Sequence, residues 1–453
     1  MNAFNRPLNT LKNYIHRWKA SIAPDHPIRL MWHQLKARIA AQRYRFPADH
    51  MVVIGVTGTN GKTTTTHLIE HLLRRAGKRV AMLSTIEFRI DGHIQPNTSK
   101  MTTLSPFKTQ AFLAECLKND IEYVVIEASS HALHQHRLWG VEFNIGVLTN
   151  ITHEHLDYHM TMEAYKNAKK ILFKNVERTC QMEPTERVAD IPHYPAMILN
   201  TADTYFPEFK QMDCPNKITY GLHSGMVMAL DMSSHTDYST FFLKTPGDEI
   251  EVYLPMAGSF NVENALAASS VALACEVDLE DIQAGLACFP GVPGRMERIV
   301  SPKGFEVMVD FALTPDALSK LYRTLDQTKK GRLIGIIGGT GERDRDKRPM
   351  LGKIVAEHTD LTIVTDEEPY SENPRTIMEA VLDGAKKTNK TLDRDLFLIE
   401  DRYRAIEFAV EHAEPNDTIV VTGMGNFQTR STNAGPIAWD EREVVREIIE
   451  RHS

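Results

Sequence analysis

An apolar strand that empties into a glycine-rich turn, a lysine and paired threonines fixes the first element of this fold: Val52-Val53-Ile54-Gly55-Val56-Thr57-Gly58-Thr59-Asn60-Gly61-Lys62-Thr63-Thr64. Glycines in such a turn let backbone N–H groups close on phosphate oxygens. The helix that follows presents its positive end, Lys62 adds a point charge, and the Thr63 hydroxyl can hold Mg²⁺. The eight-residue P-loop pattern wants glycine at position 56 and meets Val56, with Gly55 and Gly58 on either side, so the match is to a variant. A plain strand-to-helix turn does not need Gly-Lys-Thr-Thr behind a buried strand. The expected ligand is a nucleoside triphosphate.

From residue 51 short apolar runs alternate with helical periods, the rhythm of a mostly parallel sheet flanked by helices. Strands are expected over 51–56, 79–83, 123–127 and 145–149, and helices over 62–76, 107–119 and 161–175. Residues 176–255 are proline-broken and read as peripheral strands, and Gly258-Ser259-Phe260-Asn261-Val262-Glu263-Asn264 leads into an alanine-rich helix over 262–275. The turn formers Gly291-Val292-Pro293-Gly294-Arg295 read as a hinge. Beyond them, strands at 306–310, 333–338, 361–365, 396–399 and 418–422 alternate with helices at 315–328, 348–358, 374–388 and 401–412. The expected class is α/β: a central P-loop-type, mostly parallel sheet domain over 49–292 and a C-terminal Rossmann-like domain over 293–453, preceded by a basic helical arm at 1–48.

That arm is a separate electrostatic object. It holds nine Lys/Arg against the single Asp25, a charge of +8, while the whole chain carries −7. Trp18, Trp32, Tyr14 and Tyr44, with Leu8, Leu11, Ile15, Leu35 and Ile39 at roughly helical spacing and Pro24 and Pro27 between, suggest two short amphipathic helices. They fit either peripheral contact with an anionic membrane or packing on the chain's own acidic body. No nucleic-acid partner is expected. The five cysteines are scattered and form no CxxC pair, which suits a reducing compartment without a zinc framework. Without an apolar stretch near 18 residues or a secretory core behind the N-terminus, the expectation is a cytoplasmic protein.

Two further stretches carry chemistry. Tyr123-Val124-Val125-Ile126-Glu127 is an apolar strand ending in a carboxylate, where a parallel-sheet NTPase needs an acid to hold Mg²⁺ beside the P-loop threonine. Behind the next strand, Asn150-Ile151-Thr152-His153-Glu154-His155-Leu156-Asp157-Tyr158-His159 places imidazoles and carboxylates on a loop at the sheet's carboxyl edge. His155 and His159 stand four apart, yet Glu154 precedes His155, so the HExxH order of a zinc hydrolase is absent and a second Mg²⁺ contact is favoured. The expected metal ligands are Thr63, Glu127 and His155.

These segments resemble the Mur ligase family. Gly58 to Thr64, Glu127-Ala128-Ser129-Ser130-His131 with Arg137, Asn150 to His159, Tyr165 to Lys169, Gly258 to Val262, Gly294-Arg295-Met296-Glu297 and Asp401-Arg402 occur in the family's order from about residue 50 to 430. Within the family the pattern is most similar to the ligases that add the third residue of the peptidoglycan stem. The resemblance implies ATP-dependent amide formation through an acyl phosphate, with Lys62, Glu127, His155 and Lys169 as the catalytic set. It places Asn261, Asn264, Arg295 and Asp310 near ATP, and Thr102, Thr103, Ser129, Ser130 and Arg137 on a muramoyl-peptide substrate. It also implies a carbamylated Lys169, for which a solvated helix lysine is the alternative.

Four departures bear on the substrates. The family's uridine-nucleotide domain has no counterpart in the basic arm, so a lipid-linked or shortened donor is an alternative to a uridine-linked one. Leu313 stands where the family has histidine. An Asp-Asn-Pro-Arg acceptor motif aligns with Glu367-Glu368-Pro369-Tyr370, and a late Gly-Lys-Gly-His-Glu with Gly423-Met424-Gly425-Asn426-Phe427. A neutral phenol cannot supply the bidentate fork that grips a distal carboxylate. Glu367, Glu368 and Tyr370 are therefore expected to select a different acceptor, such as lysine or ornithine. The glycine-rich, charged loop Gly338 to Pro349 is assigned to domain closure and substrate contact, not to a dinucleotide. A ligase acting on a folate or polyglutamate carboxylate, or a nucleotide-binding relative without catalysis, remains the alternative.

Overall fold

The structure, a computed structural model, describes residues 26–182, 188 and 190–452. The helix expected around Leu8 to Trp18 lies outside the described residues.

Among the described residues, eleven strands form one sheet. In spatial order they are Glu249–Leu254, Ser239–Lys244, Val227–Ser234, Lys217–Gly221, Ala196–Asn200, Ile145–Leu148, β1 (Val52–Thr57), Tyr123–Glu127, Val80–Leu83, Glu87–Ile90 and His93–Pro96. The seven from Val227–Ser234 through Val80–Leu83 are parallel, and both margins turn antiparallel. Every residue of β1 and of Tyr123–Glu127 is buried, as expected of strands covered by helices on both faces. The helix Ser259–Ala274 covers one face together with Lys62–Arg75, and its small Ala/Ser surface allows close approach.

A second sheet runs Glu297–Val300, Glu306–Asp310, Thr418–Thr422, Leu333–Ile337, Leu361–Val364 and Leu396–Leu398, parallel except for its first edge strand. Its helices start where capping chemistry allows. Thr314 accepts from the Ala317 N–H at 3.1 Å ahead of Pro315, Asn373 from Arg375 at 2.9 Å ahead of Pro374, and Asp401 from Arg404 at 3.0 Å. The sheet carries a fully buried ion pair in which Arg402 reaches Glu441 through Nε at 3.0 Å and Nη2 at 2.5 Å, and also donates to the Thr422 carbonyl at 2.7 Å. Removing one member leaves the other charge in apolar surroundings. Arg402→Met is expected to destabilise this unit by about 3–5 kcal/mol, to be read as a lowered midpoint in urea unfolding.

Over its described part the arm shows the second of the two expected helices, the one that follows Pro24 and opens at Pro27. One helix, α1 (Pro27–Tyr44), lies against the helix Pro106–Lys118, with Ala37, Ala40 and Ala41 as its buried face. Elements absent from the sequence reading also appear, among them the Glu87–Ile90/His93–Pro96 hairpin, the small Thr429–Thr432/Gly435–Ala438 hairpin, the helix Leu279–Ala287 and the C-terminal helix Glu441–Arg451.

Candidate active site

Parallel pairing sets the site. Val56 stands opposite Glu127 on one side and Val147 on the other, so the loops after three neighbouring strands open at the same sheet edge. The turn after β1 requires its glycines. Gly58 has φ +155° and a Cβ there would lie 1.8 Å from Thr149 Oγ1; Gly61 has φ +83° and its Cβ would lie 2.3 Å from Asn264 Oδ1. Asn150 holds this turn by accepting from the Asn60 N–H at 2.9 Å and the Thr59 N–H at 2.7 Å, through its side chain and its carbonyl respectively. Lys62 Nζ donates to the Gly58 and Thr59 carbonyls at 3.0 and 2.8 Å. Burial lowers its pKa, and the Glu127 carboxylate opposes that fall.

Glu127 is fully buried, a costly place for a carboxylate, and its oxygens are matched by donors. Thr63 Oγ1 donates to it at 3.2 Å, Thr85 Oγ1 at 2.9 Å and the Thr85 N–H at 2.9 Å. A hydroxyl and a carboxylate side by side at the mouth of a phosphate turn form the hard-oxygen pair that Mg²⁺ takes up while keeping waters and phosphate oxygens. His155 lines the same cleft. Burial first, and His131 packed edge-on at 4.6 Å second, depress its pKa strongly, so its imidazole is neutral and has a lone pair to offer. The residues present therefore fit Mg²⁺.

Lys169 is buried beneath the turn. Its Nζ donates to the Gly58 carbonyl at 2.6 Å and sits 4.4 Å from the Tyr165 ring centroid. Burial, and then the charge of Lys62, lower its pKa well below that of a free lysine. The solvated-helix reading of Lys169 is excluded by this position.

The second sheet completes the cleft. Arg295 extends Nη2 to within 3.4 Å of Thr63 Oγ1 and stacks its guanidinium 4.2 Å over Phe311. Asp310 accepts from the Met296 and Ala312 N–H groups at 2.8 and 2.7 Å, which shapes the turn that presents Arg295. Asn264 accepts from Thr65 Oγ1 at 3.3 Å, and Asn261 donates to the Ala257 carbonyl at 2.8 Å. Across the gap Asn60 Nδ2 donates to Asp316 at 2.8 Å, and Lys347 Nζ to Glu154 at 3.4 Å.

Thr59 to Thr64, Thr102, Glu127, His155, Asn261, Asn264, Arg295, Asp310, Glu367, Glu368 and Tyr370 all line this single cleft. Thr103, Ser129, Ser130 and Arg137 form an adjoining cluster just behind Glu127. Thr103 Oγ1 donates to the Glu127 carbonyl at 2.7 Å, Arg137 Nη1 to the Thr103 carbonyl at 3.1 Å, and Ser129 caps the helix that starts at Ser130.

Sequence reasoning missed Thr85 and Lys100, which also line the cleft, while Arg343 and Phe427 line it from the two C-terminal stretches already singled out. Lys100 pairs with Glu368 across the gap between the sheets. Thr85 follows the strand Val80–Leu83 at the carboxyl edge, so the edge rule could have found it.

Comparison with known proteins agrees with this geometry. The Mur ligase middle domain matches residues 56–272, and the Mur ligase, glutamate ligase domain matches residues 294–425. A UDP-N-acetylmuramyl-tripeptide synthetase of Roseiflexus sp. (strain RS-1) is 37% identical over 418 residues, covering 91% of this chain and 81% of that protein. A UDP-N-acetylmuramoyl-L-alanyl-D-glutamate--2,6-diaminopimelate ligase of Clostridium botulinum (strain ATCC 19397 / Type A) is 35% identical over 419 residues, with the same coverage. A solved structure of a UDP-N-acetylmuramoyl-L-alanyl-D-glutamate--2,6-diaminopimelate ligase superposes with a TM-score of 0.61 at 29% identity, over 95% of this chain and 84% of that one. Likeness of this extent to relatives sharing more than a third of its residues makes the chain a member of the Mur ligase family, the ATP-dependent ligases that form amide bonds.

Proposed function

We propose that this ligase joins the terminal carboxylate of a muramoyl-peptide-type donor to a basic amino acid, in the cytoplasm, at the expense of ATP. The donor carboxylate attacks the γ-phosphorus and ADP leaves. The acceptor amine then attacks the acyl carbon, and phosphate leaves as the amide forms. Lys62, pointed at the turn that cradles the polyphosphate, offsets charge on the transferring group, and Arg295 approaches the same place from the second sheet. Thr63, Glu127 and His155 would hold Mg²⁺, which when bound supplies further charge neutralisation at the phosphates. Closure of the two sheets over the cleft keeps water from the acyl phosphate. Thr102, Thr103, Ser129, Ser130 and Arg137 are assigned to the donor.

The observation that carries the acceptor reading is Glu367. It is buried, lines the cleft and accepts from Thr340 Oγ1 at 2.7 Å through Oε1, while Oε2 has no hydrogen-bond partner among the described residues. Burial raises its pKa, so an ammonium placed beside Oε2 relieves a cost that the folded chain otherwise bears. Glu368 and Tyr370 stand next to it, the phenol donating to Glu368 at 3.3 Å.

In a screen of amino acids with purified protein and a muramoyl-dipeptide donor, ADP release is expected to respond to lysine or ornithine at least about tenfold better than to meso-diaminopimelate, in kcat/KM. Tyr370→Arg is expected to narrow that gap by restoring a fork for a distal carboxylate. Preference for diaminopimelate in the unmodified protein would overturn the acceptor assignment. Absence of acceptor-stimulated ADP release with any amino acid would instead favour a non-catalytic relative.

A further inference from the structure

The helix α1 shows two opposed faces of contrary character. Ala37, Ala40 and Ala41 are fully buried against the body, and the fit there is tight: a Cβ on Gly140 would lie 2.6 Å from the Ala41 Cβ. At the flank of the helix the Arg38 guanidinium lies 5.3 Å from the Trp139 ring, which packs on Phe46 at 6.3 Å. On the far side Ile28, Met31, Trp32, Leu35 and Ile39 are between 40 and 69% exposed. At the helical repeat these five fall within about a 100° arc, centred opposite the alanines. The stripe cannot turn inward without exposing the alanine face, so its outward direction is built into the fold.

Single exposed apolar residues are ordinary, but a contiguous row of five including a tryptophan is not. Its surroundings say what covers it. Residues 26–48 contain five Lys/Arg and no Asp or Glu, and Arg29, Lys36 and Arg43 follow one border of the stripe. The sequence ahead of it, residues 1–25, adds four more Lys/Arg against Asp25. A second copy packed helix to helix would bring like charge to this face, since residues 26–48 carry only cations. An apolar ridge bordered by cations suits the boundary between acyl chains and anionic headgroups, where aliphatic and indole groups sink in while lysine and arginine stay at phosphate level.

We propose that α1 is a peripheral docking element for anionic lipid, laying Ile28, Met31, Trp32, Leu35 and Ile39 into the headgroup region. This does not depend on the ligase reading. It would hold the cleft close to a membrane surface, where a lipid-anchored donor would be found.

The test uses the full chain. Flotation with vesicles of phosphatidylglycerol and phosphatidylcholine is expected to carry the protein upward, and vesicles of phosphatidylcholine alone to carry at least about tenfold less. Binding to the anionic vesicles should weaken as salt is raised. Met31→Ser/Trp32→Ser/Leu35→Ser is expected to lower anionic-vesicle binding at least about tenfold while nucleotide affinity is unchanged, since none of these residues lines the cleft. Should that variant fail to fold, Lys36→Glu/Arg43→Glu, which keeps the apolar row, is expected to lose vesicle binding as well. Equal flotation with both vesicle types, or none with either, overturns the proposal. So does a dimer in solution that the triple variant converts to a monomer, because the face would then belong to a second copy.

Discussion

Lys62→Met is expected to lower kcat by about 10²–10³-fold, the size of loss typical when one preorganised charge is withdrawn from a site of developing negative charge. Lys62 Nζ lies over the turn, bonded to the Gly58 and Thr59 carbonyls, and Thr63 beside it touches both Glu127 and Arg295. A methionine of similar length keeps the packing and removes only the charge and its donors. Burying one fewer ionised group does not threaten the fold, so thermal stability should be retained or improved. Because the lysine acts on charge that builds during phosphoryl transfer, kcat and kcat/KM should fall together, and calorimetric affinity for ADP should change far less. Lys62→Arg should not restore turnover, since a planar fork cannot reproduce the compact point charge that meets the Gly58 and Thr59 carbonyls together. Turnover within threefold of the unmodified protein in the methionine variant, a change of roughly 0.7 kcal/mol in the barrier, would remove Lys62 from the chemistry.

Local pattern made much of the architecture legible. The strand before Gly58, the carboxylate closing Tyr123 to Glu127 and the alternation of strands and helices after residue 306 all follow from short apolar runs bounded by turn formers. The corresponding elements form with ends shifted by a few residues at most. What stayed hidden depends on contacts distant along the chain. Lys100 meets Glu368 only because the two sheets face each other across the cleft. Thr85 matters only because its strand sits beside Tyr123–Glu127. The hairpin Glu87–Ile90/His93–Pro96 has an outer strand exposed throughout and no alternating core face to announce it. The helix Glu441–Arg451 did show Val445, Ile448 and Ile449 at helical spacing, but its role becomes visible only when Glu441 is seen buried against Arg402, 39 residues away in sequence. The direction of α1 is a case of the same kind. Leu35 and Ile39 carry the helical apolar spacing, whereas the smaller alanines take the buried face, where Gly140 comes close to Ala41.

Lys169→Ala is expected to lower kcat at least about 10²-fold and to abolish a dependence of activity on dissolved carbon dioxide. Burial under the turn, and then the charge of Lys62, disfavour the ammonium form of Lys169 and shift it toward the free amine. A neutral amine is the nucleophile that carbon dioxide accepts: the nitrogen lone pair forms the N–C bond, one C=O electron pair moves onto oxygen, and nitrogen loses a proton. The product is an anion. Such an anion would turn an unfavourable neighbour of Lys62 into a favourable one. An arginine cannot be deprotonated to follow this course, so Lys169→Arg should be as inactive as the alanine variant. Lysine serving only as packing or as a hydrogen-bond donor to Gly58 would show no response to bicarbonate. The decisive measurements are depletion of carbon dioxide, with activity expected to fall and to return on adding bicarbonate, and carbon-13 bicarbonate labelling, with a carbamate resonance expected in the unmodified protein and absent from Lys169→Ala. Unchanged turnover in the alanine variant, or full activity without carbon dioxide, would sink the assignment.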